Sequence, residues 1–178
     1  MNKNQLIRFV GFLLFAAFVS ACGTPSTNNT ERDVKSDVTK LEQELYSSKG
    51  MLDMDKADSM VDLYFEYVEE FPDDTLSVRY LFKAAELQMG MNKNLECINT
   101  LTKLQDNYPD CSIMPMVLHF KAFVYDDKFQ DFDKARACLD ELITKYPNDP
   151  LVPNAKAYRE MIGKDPNEVF RQNDSLNN

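Results

Sequence analysis

The sequence has no tryptophan, one histidine and only five glycines in 178 residues. With a single imidazole, any Cys–His or Ser–His nucleophilic pair has to use His119. That residue stands inside an apolar run, Met116-Val117-Leu118-His119-Phe120, and reads as a partly buried helix histidine. A zinc site is disfavoured in the same way, since no Cys-x-x-Cys or His-x-x-x-His spacing occurs. No Gly-rich phosphate loop is present. Five glycines and eight prolines are too few for a linker-dominated chain. Carboxylates are plentiful but scattered. Asp53-x-Asp55 opens like a calcium loop, yet the sixth position holds no glycine and Tyr64 takes the place of the bidentate Glu. Asp73-Asp74 and Asp126-Asp127 fall at expected helix ends, where acids cap or are simply solvated. The expectation is a protein that is not an enzyme, with no catalytic residue, metal or cofactor.

Also missing is an apolar run long enough to cross a bilayer, which takes about 20 residues. Phe9–Val19 is uncharged but shorter, and it follows a segment carrying Lys3 and Arg8 and no acid. This reads as a secretory leader. The next residues, Val19-Ser20-Ala21-Cys22, resemble the lipobox of bacterial lipoproteins. The resemblance implies cleavage before Cys22 and acylation of its sulfur and new amino group, so that Cys22 is the lipid anchor. The alternative is an ordinary leader cut after Ala21. Stable anchoring needs two or more acyl chains, which lipoprotein processing supplies. Gly23 rather than Asp at the second mature position implies the outer membrane, and the lack of an acidic run after Cys22 implies its periplasmic face. Cleavage would leave 18 Lys and Arg against 29 Asp and Glu, a net charge of −11. Nucleic acid and anionic headgroups need a basic face and are excluded as partners. Cys97, Cys111 and Cys138 allow one disulfide at most, or three free thiols, the state expected here.

Gly23–Thr30 is small and polar and reads as a tether. From Val34 the apolar residues fall into helical spacing: Val34, Val38, Leu41 and Leu45, then Met60, Leu63, Tyr64, Tyr67, Val68 and Phe71. A punctuation then recurs. Phe71-Pro72-Asp73, Tyr108-Pro109-Asp110 and Tyr146-Pro147-Asn148 are separated by 37 and 38 residues. Proline disfavours helical geometry in the residue before it, so a helix ends there, and the Asp or Asn beyond can cap the next. Counted back from the prolines, Leu101 and Leu104 match Leu139 and Leu142, and Cys97 falls opposite Ala135. Leu81-Phe82-Lys83-Ala84 likewise parallels His119-Phe120-Lys121-Ala122. Three helix pairs are predicted, 33–47 with 55–71, 75–90 with 94–108, and 112–126 with 132–146. A lone helix over 150–162 would close the stack, and Asp165-Pro166 would open at most two further turns. Tyr64, Tyr67, Phe82, Phe120 and Phe132 stand at core spacing, and Met89, Met91, Met114 and Met116 read as gap-filling core or turn residues, the alternative being that they line an adaptable peptide groove.

Self-similarity at this period marks a solenoid, and the pattern resembles the tetratricopeptide-repeat (TPR) family over about residues 51–163. The matching positions are Pro72, Pro109 and Pro147, then Tyr64, Leu101 and Leu139 eight residues before them, and the small Ala135. The chain lacks the family's Trp and its Leu-Gly-x-x-Tyr run, and its period exceeds 34. The longer period with Tyr-Pro punctuation is similar to exported TPR lipoproteins of outer-membrane barrel assembly and of the Tol-Pal system. The resemblance implies an all-α, right-handed TPR-like solenoid of about three pairs plus a capping helix. The expected organisation is a leader (1–21), a tether (22–32), a repeat domain (33–163) and a short helix with a polar tail (164–178). It also implies that Arg79, Tyr80, Lys83 and Lys121, on first helices, line a groove for protein partners of the cell envelope. Competing readings are an accessory subunit of a wall-acting enzyme and a carrier holding a lipid or small ligand between helices.

Overall fold

A computed structural model describes residues 33–47 and 53–164. The expected leader, Cys22, the tether and the tail from 165 onward lie outside those residues. Among the described residues, seven α-helices follow one another: α1 (Val34–Ser47), α2 (Met54–Glu70), α3 (Thr75–Gly90), α4 (Asn94–Asn107), α5 (Met114–Val124), α6 (Phe132–Lys145) and α7 (Val152–Met161). A π-helical turn, Tyr125–Phe129, extends α5. No strand occurs among the described residues, and the all-α, TPR-like fold is the one expected.

Most helices start where the chain offers an acceptor or a proline; α4, which follows Lys93, has neither. Asp53 caps α2 by accepting from the Lys56 amide at 3.2 Å. The same residue that opened an incomplete calcium loop is therefore a helix cap. Asp74 accepts from Leu76 N at 2.9 Å to start α3, and Asp131 from Lys134 N at 3.1 Å to start α6. Helices α5 and α7 lack a side-chain cap bond and carry Pro115 and Pro153 in the first turn, where a missing N–H costs nothing.

The three aromatic-Pro corners share one geometry. Phe71, Tyr108 and Tyr146 have φ of −128, −132 and −125°, and each still donates its amide to the residue four back. Each carbonyl then accepts the amide three residues on, from Asp74, Cys111 and Asp149, at 3.1, 3.1 and 2.9 Å. This is a β-turn with proline at its second position. The residue directly after the proline was expected to cap the next helix. It lies inside this turn instead, and the capping carboxylate is one residue further, at Asp74.

The insertion that lengthens the last period is absorbed at one place. Asn92 and Gln130, each 17 residues before the following proline, both adopt left-handed backbone with φ of 61 and 52°. The extra residue therefore lies between Pro109 and Gln130, where the π turn accommodates it. In consequence, the first helices align when counted forward from the preceding proline. Leu81 and Leu118 then coincide, as do Ala85 and Ala122, and all four are buried. The expected match of Leu81-Phe82 with His119-Phe120 is displaced by one residue, although the Phe82 and Phe120 rings still touch at 5.6 Å between centroids.

Leu101, Leu104, Leu139, Leu142, Cys97 and Ala135 are all fully buried, as the repeat spacing predicts. Tyr64 and Tyr67 occupy the same places between α2 and its neighbours. Phe132 does not join them. It is 38% exposed and packs its ring edge against Gly163, whose φ is +73°. Met114 is buried, Met89 and Met91 half-buried, and Met116 exposed. One buried polar pair crosses the second repeat, Thr100 donating to Gln88 at 2.8 Å. The three described cysteines are free thiols. No described helix is long and apolar enough to cross a membrane.

Candidate functional site: the face of the first helices

The residues expected to line the partner groove occupy different environments. Arg79 is exposed on α3, and its side chain makes no ion pair or hydrogen bond with another described residue. Tyr80, one position on, is half-buried. Its ring stacks on Tyr64 at 4.8 Å and meets Tyr67 edge-on at 4.7 Å. It is thus built into the seam between α2 and α3. Burial raises its hydroxyl above the ordinary phenol range, with Glu42 adding to the effect.

Lys83 donates to Glu42 of α1 at 2.6 Å, and Tyr64 donates to the same carboxylate oxygen at 2.6 Å. The structure therefore brings Tyr80 and Lys83 together around Glu42, a residue that helical spacing did not single out. Lys121 of α5 reaches back to Gln105 of α4 at 3.0 Å. Gln105 in turn donates to Glu141, which also accepts from Lys145. Arg159 holds on α7 the place that Lys121 holds on α5, twelve residues after the preceding proline. It likewise reaches back, forming two bonds to Asp140 of α6. These cations tie each first helix to the pair before it.

His119 is half-buried, its ring 5.7 Å from that of Tyr158, and desolvation holds its pKa below the ordinary histidine value. Tyr158 donates to Asp126 at 2.8 Å, so this acid of the π turn serves as an acceptor between α5 and α7. Burial and that bond push the Tyr158 hydroxyl far up. Among the described residues, no Ser, Thr or Cys side chain is hydrogen-bonded to His119. Among the described residues, no three His, Cys, Asp or Glu side chains come close enough to hold a metal ion. A cleft of about 480 Å³ opens among the turns at Cys111, Ser112, Tyr146 and Asn148.

What remains open on the first helices is one line. Seven residues after the corner prolines Pro72, Pro109 and Pro147 stand Arg79, Met116 and Asn154; fourteen after them stand Glu86, Phe123 and Met161. All six are exposed. Sequence reasoning weighed Met116 as a groove residue but favoured core or turn packing, and it missed Phe123, because apolar residues at helical spacing read as core.

Comparison with known families agrees with this geometry. The tetratricopeptide repeat family matches residues 79–110 and 121–149. Each matched segment begins within a first helix, runs through the second and ends at an aromatic-Pro corner, so these segments are tetratricopeptide repeats. The pair α1 and α2 lies outside the match but ends on the same corner. No curated protein matches the chain.

Proposed function

We propose that this protein is a lipid-anchored scaffold of the bacterial envelope, tethered through Cys22 to the periplasmic face of the outer membrane. Its repeats hold partner proteins there and carry out no chemistry of their own. The observation that carries the reading is the pair of tandem tetratricopeptide repeats, whose first helices keep an exposed line that includes Arg79 while Lys83 and Lys121 tie neighbouring pairs together. Repeats of this family are generally interaction scaffolds, and protein partners follow from that. The anchor rests on the lipobox-like residues and the apolar leader before them.

Of the proposed groove residues, Arg79 is the direct contact, and Lys121 borders the same surface. Tyr80 and Lys83 shape it from behind through Glu42. Two experiments test the reading. Cys22→Ala should leave unprocessed precursor or release a soluble protein on fractionation; a processed variant still in the membrane would refute the anchor. Cross-linking in intact cells through a photoreactive residue at position 79 should trap a discrete envelope protein, and the adduct should be lost when the cross-linker moves to exposed Asp62 on α2. Equal trapping from both positions would remove the first-helix face from consideration.

A further inference from the structure

The exposed line on the first helices changes chemistry from one helix to the next. On α5 it is apolar. Met116 and Phe123 are 43% and 38% exposed, with half-buried His119 and Phe120 between them. Met114–Val124 contains no carboxylate at all, in a chain with 29 acidic residues. On α3 the same two positions hold opposite charges, Arg79 and Glu86. Arg79 has no ionic partner among the described residues, and Glu86, although its side chain reaches solvent, is partly desolvated by its neighbours, which raises its carboxyl against the pull of Lys83. The helices are neighbours, since the Phe82 and Phe120 rings touch. An apolar centre beside unsatisfied charges has the anatomy of an interface whose anchors are aromatic and Met side chains.

We propose that α5 and α3 together dock a peptide segment of a partner protein that carries two apolar anchors about 10 Å apart, the span of seven helical residues. A carboxylate lies beside the first anchor, facing Arg79, and a cation beside the second, facing Glu86. This proposal rests on the scaffold reading and adds the chemistry of the partner. Charge complementarity sets the polarity of the segment, because the two α3 positions differ in sign. A second copy of the chain is disfavoured as occupant, since each copy is acidic, with a net charge of −9 over the full sequence and −11 after the expected cleavage, and like-charged copies repel.

The test uses the mature chain with Cys22→Ser, so that it is soluble, and a displayed library of random dodecapeptides. Selected peptides should share two apolar residues at the stated span, with an acid near one and a base near the other. Binding should fall at least tenfold with Phe123→Asp and with Met116→Lys, while circular dichroism and Tm stay as in the parent. The double swap of Arg79→Glu with Glu86→Arg should select peptides with the charges exchanged. Peptides that bind Phe123→Asp and the parent equally would overturn the proposal. If they depended on Arg79 alone, the scaffold reading would survive without it. An empty selection, or dimerisation of the parent that Phe123→Asp abolishes, would also overturn it, the latter by assigning the line to a second copy. The in-cell cross-link at position 79 tests the scaffold reading independently of all these outcomes.

Discussion

The hydroxyl of Tyr108 donates to the carbonyl of Pro72 at 2.7 Å, so the corner that ends one repeat is bonded to the corner that ends the repeat before it. The two residues are 36 apart in the chain and occupy neighbouring turns of a common pattern. Tyr108→Phe removes this bond, together with the hydroxyl's interaction with Ser77, and keeps the ring. The loss should be about 0.5–1.5 kcal/mol, toward the low end because the corner is solvent-exposed. Urea denaturation should show the midpoint moving down with an unchanged slope; an unchanged midpoint would show that the corners are held by their turns alone.

Core truncation should act over the whole stack. Leu139 and Leu142 are fully buried in the cluster that joins α3 through α7. Leu142→Ala should cost about 2–5 kcal/mol. Since neighbouring repeats supply each other's core, fluorescence probes placed in α3 and in α6 should report one shared, lowered transition. Separate transitions would mean that the pairs fold independently.

Gln130 carries a backbone strain that a single residue can relieve. Left-handed geometry costs an L-residue roughly 1–2 kcal/mol, and a β-branched side chain more. Gln130→Val should therefore lower stability, and Gln130→Gly should hold or raise it. The order of melting temperatures Gly, Gln, Val is the expected readout, and a Val variant as stable as the parent would show that the corner rearranges.

The thiols should separate by reactivity. Burial pushes Cys97 up to about 12 and Cys138 up to about 11, whereas half-exposed Cys111 is raised less by the same cause. The thiolate is the reacting form. In the Cys22→Ser chain at pH 8, a chromogenic disulfide reagent should modify Cys111 first, and the other two only as the protein unfolds. Three thiols reacting together would contradict the packing of α4 and α6.

The Tyr67–Asp74 hydrogen bond, 2.8 Å long, should give stability a pH dependence at both extremes. The Leu76 amide, then the Tyr67 hydroxyl, hold the Asp74 carboxyl below the usual carboxylate range. That contribution is present above the ordinary value and is lost as pH falls through the lowered one. Burial, then the bond to Asp74, push the Tyr67 hydroxyl up to about 12. Its contribution is present below the ordinary phenol range and lost as pH rises toward about 12. Asp74→Asn should flatten the acid limb of the stability–pH curve, and an acid limb unchanged by the substitution would assign it to other carboxylates.

Much of the fold was legible because its determinants are local. Helical spacing, the proline after each aromatic and the acids before α2, α3 and α6 act within a few residues, so the helix pairs and the buried Leu101, Leu104, Leu139 and Leu142 follow from sequence alone. Phe132 was misjudged because helical spacing shows which residues share a face, not whether another helix covers it. The one-residue displacement of α3 against α5 was invisible for a related reason. A period of 38 in place of 37 announces an insertion, but only backbone geometry places it in the π turn after Val124. The candidate site depended most on tertiary structure. Sequence placed Arg79, Tyr80, Lys83 and Lys121 on first helices, where their charge and aromatic character suggested partner contact. Folding brought Glu42 of α1, Gln105 of α4 and the ring of Tyr64 against three of them, because long side chains pair with whatever polar group packing sets beside them. Arg79 stayed open, and Met116 and Phe123 joined it at the surface, since no further helix among the described residues packs over that face of α5.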